Sequence, residues 1–165
     1  MRFILTWLLA FSLLYGGLLE VEWPKPTKQH QKSMKAYPKA LKDKIRDITL
    51  PVYLPRYYIY KKEMSIVSDK VFYTASIPIK GATIMITGDR SYQQKIKSKQ
   101  LKANLKAVNA KFVRAEGMMS TSFNRHGINY SLVIECDSPN RDKRCIEDKF
   151  LRKVYGELVL VGGKR

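Results

Sequence analysis

The stretch Ile128-Asn129-Tyr130-Ser131-Leu132-Val133-Ile134-Glu135 places Ile128, Tyr130, Leu132 and Ile134 on one face of an extended chain, with Asn129, Ser131 and Glu135 on the other. Such alternation marks a strand buried on one side and wet on the other, which as a rule belongs to an antiparallel sheet. His126-Gly127 just before it reads as a turn, with Thr121–Asn124 as the hairpin partner. Upstream, Val71, Tyr73, Ala75 and Ile77 share an apolar face while Thr74 and Ser76 point away. Met64–Val67 precedes this strand through a turn at Ser68-Asp69. Ala82–Thr87 follows it after Lys80-Gly81 and is expected to end at Gly88-Asp89. Val52, Leu54 and the Tyr57–Tyr60 cluster form a further β-prone run.

Helical periodicity flanks this region. Leu41, Ile45 and Ile48 recur at spacings of four and three after Pro38, which suits a first helical turn. Ile146, Phe150 and Val154 recur every four residues, with Glu147 and Asp148 in the first turn, Arg152 and Lys153 near the last, and Gly156 placed to terminate the helix. Leu158–Val161 then reads as a short final strand or a helix tail on the sheet. The expected fold is α+β, an antiparallel sheet of about six strands with two helices packed on one face.

The amino-terminal end has a different character. Arg2 precedes an uncharged, largely apolar run from Phe3 to Leu19, and Glu20 and Glu22 close it. A positive flank before the run and an acidic one after it favour export of the remainder. A cleaved signal peptide is the first reading. Gly16 and Gly17 make a mediocre cleavage site, and the run sits at the lower bound for spanning a bilayer, so an anchor in the inner membrane is the second. The expected organisation is therefore residues 1–19 as signal or anchor, 20–37 as a mobile basic tether, and 38–165 as a single α+β domain, located in the periplasm.

Export decides how the cysteines read. Cys136 and Cys145 enclose a turn-like segment with Pro139 and Asn140, and in an oxidising compartment they are expected to bridge. A loop of about ten residues closed in this way stabilises by roughly 2.5–3 kcal/mol in the chain-entropy model. A redox pair would have two intervening residues beside a helix amino terminus, whereas these have eight.

The 165 residues hold 31 Lys and Arg against 14 Asp and Glu, a net charge of +17. Lys25, Lys28, Lys32, Lys35, Lys39 and Lys42 crowd the tether and first helix, and Lys95, Lys99, Lys102 and Lys106 share one face if Lys95–Lys111 is helical rather than a loop. These ten lysines are the candidate contacts for an anionic partner: a membrane surface, lipopolysaccharide or a cell-wall polymer. A solvated basic surface is the plainer reading. Arg56, Tyr57, Tyr58, Tyr60, Lys61 and Lys62 would also suit stacking on single-stranded nucleic acid, but export removes that partner. Another envelope protein is the remaining class of partner.

Catalytic chemistry finds little support. No G-x-x-x-x-G-K-[ST], G-x-G-x-x-G, H-E-x-x-H or G-x-S-x-G occurs, and no cofactor or metal is expected. His30 falls in the tether and His126 in a turn. Glu135 with Asp137, and Glu147 with Asp148, are close enough in sequence to raise a cell-wall hydrolase as the last alternative, but helix capping accounts for such placements. Asn129-Tyr130-Ser131 matches a glycosylation sequon inside the clearest strand, where coincidence explains it. The reading is a non-catalytic envelope domain with a binding or structural role, and a binder of anionic lipid or polymer as the alternative.

With these elements laid out, the chain resembles an uncharacterised family of small exported proteins from Gram-negative bacteria. The resemblance rests on Leu50-Pro51-Val52-Tyr53-Leu54-Pro55, on Phe123 to Leu132, on Glu135-Cys136-Asp137, on Arg144-Cys145 and on the terminal Val161-Gly162-Gly163. It covers about residues 40–163. More loosely, the chain is similar to the α+β domains carried outside the membrane by some anti-sigma-factor and lipoprotein proteins. The resemblance implies the location, the fold and the disulfide; it supplies no catalytic residue and no ligand.

Overall fold

The computed structural model describes residues 17–92 and 110–165. The apolar run before Gly17, and the segment holding Lys95, Lys99, Lys102 and Lys106, lie outside the described residues. Six strands form one antiparallel sheet: β3 (Ser65–Asp69), β4 (Phe72–Ile79), β5 (Ala82–Asp89), β9 (Ile128–Cys136), β8 (Met118–Arg125) and β7 (Lys111–Ala115), in that spatial order. A separate antiparallel ribbon pairs β2 (Val52–Pro55) with β10 (Leu158–Gly162), and β1 (Gly17–Leu18) pairs with β6 (Ser91–Tyr92). The protein is thus mixed α+β, as expected. Among the described residues no helix is long and apolar enough to cross a membrane.

The alternation read from the sequence is what buries one face of the sheet. Tyr73, Ala75 and Ile77, then Ile84 and Ile86, then Leu132 and Ile134 lie in register across β4, β5 and β9 and are fully buried. Onto this face pack α2 (Lys39–Ile45) through Leu41 and Ile45, the β2–β10 ribbon, and α4 (Lys149–Gly156) through Leu151 and Val154. The short helix α3 (Lys143–Ile146) ties in through Cys145, bridged to Cys136 at the end of β9 with the two Cα atoms 6.3 Å apart. The ribbon is fixed by two sheet tyrosines. Tyr73 Oη accepts from the Tyr53 N–H and donates to the Tyr53 carbonyl, both at 3.0 Å, and Tyr130 Oη donates to the Pro51 carbonyl at 2.6 Å. Burial raises the pKa of both phenols well above the ordinary tyrosine range, so they stay neutral donors.

The structure departs from the sequence reading at several points: β3 runs through Ser68-Asp69, which read as a turn, and the expected carboxy-terminal helix breaks at Glu147 into α3 and α4, leaving Ile146 41% exposed. Gly88 lies inside β5 rather than ending it, because Tyr73 and Tyr130 from the two neighbouring strands lean over its bare Cα. The tyrosine cluster leaves the strand: after β2 the chain turns through a 3₁₀ segment, Arg56–Tyr58. Leu158–Val161 is a strand, but it pairs with β2 and not with the main sheet. Finally, the segment expected as a mobile tether is packed on the domain and contains a helix, α1 (Lys28–Ala36). Leu19 is only 4% exposed and is clamped by Arg90, whose carbonyl accepts from Leu19 N at 2.8 Å while its Nε donates to Leu19 O at 2.7 Å. Glu22 N donates to the His126 carbonyl at 3.0 Å.

Candidate functional site

The helix α1 forms because Thr27 caps it, its Oγ1 accepting from His30 N at 3.2 Å. His30 and Met34, four residues apart, share the inward face. His30 Nε2 donates to the Leu160 carbonyl on the free edge of β10 at 2.8 Å, and Met34 packs on the core. Tyr37 closes the helix as a buried residue, its phenol pushed up by burial and by neighbouring Tyr60, with Arg56 acting the other way. Pro38 then caps α2, whose Leu41 and Ile45 face the core.

This docking turns the remaining side chains outward. Lys25, Lys28, Lys32 and Lys35, then Lys39, Lys42, Lys44 and Arg46, are all exposed. Between residues 25 and 46 there are eight bases and one acid, Asp43; the rest of the described chain holds 17 bases against 13 acids. Among the described residues none of the seven lysines has a carboxylate within 4.0 Å. Arg46 reaches only Asp47, at 3.8 Å, with both side chains more than 70% exposed. One lysine is engaged locally, since Lys42 Nζ donates to the Lys35 carbonyl at 3.0 Å, at the negative end of α1.

Beside this surface, α1 and the 3₁₀ turn enclose an open cleft of about 450 Å³, lined by Thr27, His30, Ser33, Tyr37, Arg56 and Tyr60. The cleft is not foreseen from the sequence, where His30 reads as a tether residue; the Thr27-x-x-His30 cap followed by Met34 is the available signal for a docked helix. Of the ten lysines singled out, the structure gathers Lys25, Lys28, Lys32, Lys35, Lys39 and Lys42 on one segment. Lys95, Lys99, Lys102 and Lys106 are outside the described residues.

Charged residues elsewhere in the domain, Asp148 of the candidate carboxylates among them, have structural occupations. Asp142 caps α3, accepting from Arg144 N at 2.9 Å and pairing with the Arg144 guanidinium, which lowers its carboxyl below the usual range. Asp148 begins α4 and pairs with Arg152 at 2.8 Å. Arg125 lies over the rings of Tyr53, Phe123 and Tyr155 at 4.7, 5.4 and 5.7 Å, a cation–π setting that holds it inside the fold. Among the described residues no three His, Cys, Asp or Glu side chains come together as a metal site would require.

No family model, curated protein or solved structure matches the chain.

Proposed function

We propose that this chain is a non-catalytic binding domain of the bacterial envelope, exported by its first nineteen residues and applied to an anionic surface by the exposed lysines of α1 and α2. The observation that carries this reading is a net +7 concentrated in 22 residues, on helices docked so that none of those lysines is neutralised by a carboxylate of the described chain. Basic residues at an anionic membrane surface contribute about 1 kcal/mol each. Three or four engaged at once would therefore hold the protein roughly a hundredfold to a thousandfold more tightly than a neutral surface would. The disulfide supports an oxidising location, because such bridges persist outside the cytoplasm.

The test is flotation of the exported protein with phosphatidylcholine vesicles, with and without one-quarter phosphatidylglycerol. Retention is expected on the anionic vesicles only at about 0.1 M salt, with release at about 1 M, where the screening length shrinks to about 3 Å. Replacing Lys28, Lys32, Lys35 and Lys39 by Glu should abolish retention while leaving circular dichroism unchanged. Equal retention on both vesicle types at both salt concentrations defeats the reading.

A further inference from the structure

The face of the six-stranded sheet turned away from the helices carries an unusual inventory for so basic a protein. By strand alternation and register, 22 side chains project from it. Lys111, on the edge strand β7, is the one base among them, against three carboxylates, Asp69, Asp89 and Glu135. The rest are apolar side chains and hydroxyls and amides, some of them paired across strands: Thr74 with Thr87 at 3.0 Å and Asn124 with Asn129 at 3.1 Å. Met85 on β5 and Val133 on β9 lie directly opposite each other in the register, on the sheet's central strand pair. The outer strands add Val67 and Val113, which are 66% and 43% exposed. No described element of the chain packs on this face.

We propose that this sheet face is a self-association surface, on which a second copy of the chain sits face to face about a two-fold axis parallel to the strands. Area, charge and chain direction argue for it. At about 4.8 Å between strands and 3.3 Å per residue, four long strands and two short ones present roughly 650 Å². Burying that on both copies gives roughly 1,300 Å², within the range of specific protein interfaces. Two copies carrying +17 each repel, and this is the face from which lysine and arginine are nearly absent, so approach here costs least. A two-fold axis along the strands lays β5 of one copy over β9 of the other. Met85 and Val133 then meet twice at the centre, and the edge strand β7, with Lys111, crosses onto β3, whose Asp69 lies one residue pair along. The same axis keeps both amino-terminal strands at one end of the dimer, so both chains can leave toward one surface. The lysines of α1 and α2 stay on the outside.

The test is sedimentation equilibrium of the full chain in density-matched detergent, for wild type and for M85K/V133K. A wild-type dimer whose dissociation constant rises at least tenfold in the variant, with unchanged circular dichroism and no free thiol after denaturation, is the expected result. A wild type that is monomeric at about 100 µM overturns the proposal. A variant that dimerises as well as the wild type overturns it too, since association then uses other parts of the chain. A single conservative change, M85L, should leave the dimer intact; its loss there would also count against the geometry.

Discussion

Gly88 sits one residue from the end of β5 with Tyr73 on one side and Tyr130 on the other, and its hydrogen is the reason both phenols reach the ribbon. A Cβ at this position would lie 2.6 Å from Tyr73 Cε1, 2.8 Å from Tyr130 Cε1 and 2.9 Å from Leu50 Cδ1. Either ring would have to move, and each holds a main-chain group of residues 51–53 by a buried hydrogen bond. Gly88→Ala should therefore cost about 2–3 kcal/mol in urea denaturation, as overpacking of a full core does. Gly156, which closes α4 with open space around it, gives the contrast: Gly156→Ala should raise stability by up to about 1 kcal/mol. Comparable losses at both positions would contradict this role for Gly88. The glycine is visible in the sequence, but as punctuation. What reverses its meaning is the register that sets two tyrosines beside it, and register is a property of three strands at once.

At the scale of elements, the strands are legible because one face of the sheet is dry, which imposes a period of two on β4, β5 and β9. The His126-Gly127 turn is legible for a similar reason: both residues have positive φ, 57° and 78°, the conformation two-residue hairpin loops demand. What stays hidden is which strands pair over long distance. β2 and β10 are about a hundred residues apart, and nothing in either tells a ribbon from two more strands of the main sheet. The cysteine pair can be read because its loop is local. It fastens the end of β9 to α3, with Cys145 fully buried. Replacing both cysteines by alanine should lower stability by about 2–3 kcal/mol, which for a domain of this size means a Tm lower by roughly 5–12 °C. The denatured, unreduced wild type should show no free thiol; finding two would rule out the bridge. Of the candidate site, six lysines are legible as charge, whereas their common outward orientation depends on the His30 and Met34 contacts of α1 and the Leu41 and Ile45 contacts of α2, which no charge count reports.

For the molecule as a whole, the end of the apolar run and the residues just after it are built into the fold, and His126 lies against them. Leu19 is clamped by Arg90, the Glu20 carbonyl closes over Gly127 so tightly that only glycine fits there, and Glu22 N donates to the His126 carbonyl. His126 is stacked on Tyr53 with the planes 8° apart, and burial, together with Arg125, lowers its pKa below the ordinary histidine value; Glu22 acts in the opposite direction. The neutral imidazole is therefore the form the folded state prefers. Because the folded pKa lies below the unfolded one, the unfolded chain binds more protons between the two, and stability rises with pH there. The contribution is complete above about pH 6.5 and is lost as pH falls from there through the folded pKa. Acidification should loosen the strap first: amide exchange at Leu19 and Glu22, corrected for intrinsic rate, should quicken as pH falls below about 6.5, while β5 and β9 stay protected. His126→Asn tests the cause, since asparagine tolerates the positive φ that this position requires and cannot titrate. Loss of the pH dependence in that variant, with the strap still protected at neutral pH, is the expected result; an unchanged profile would show that His126 is not the group responsible.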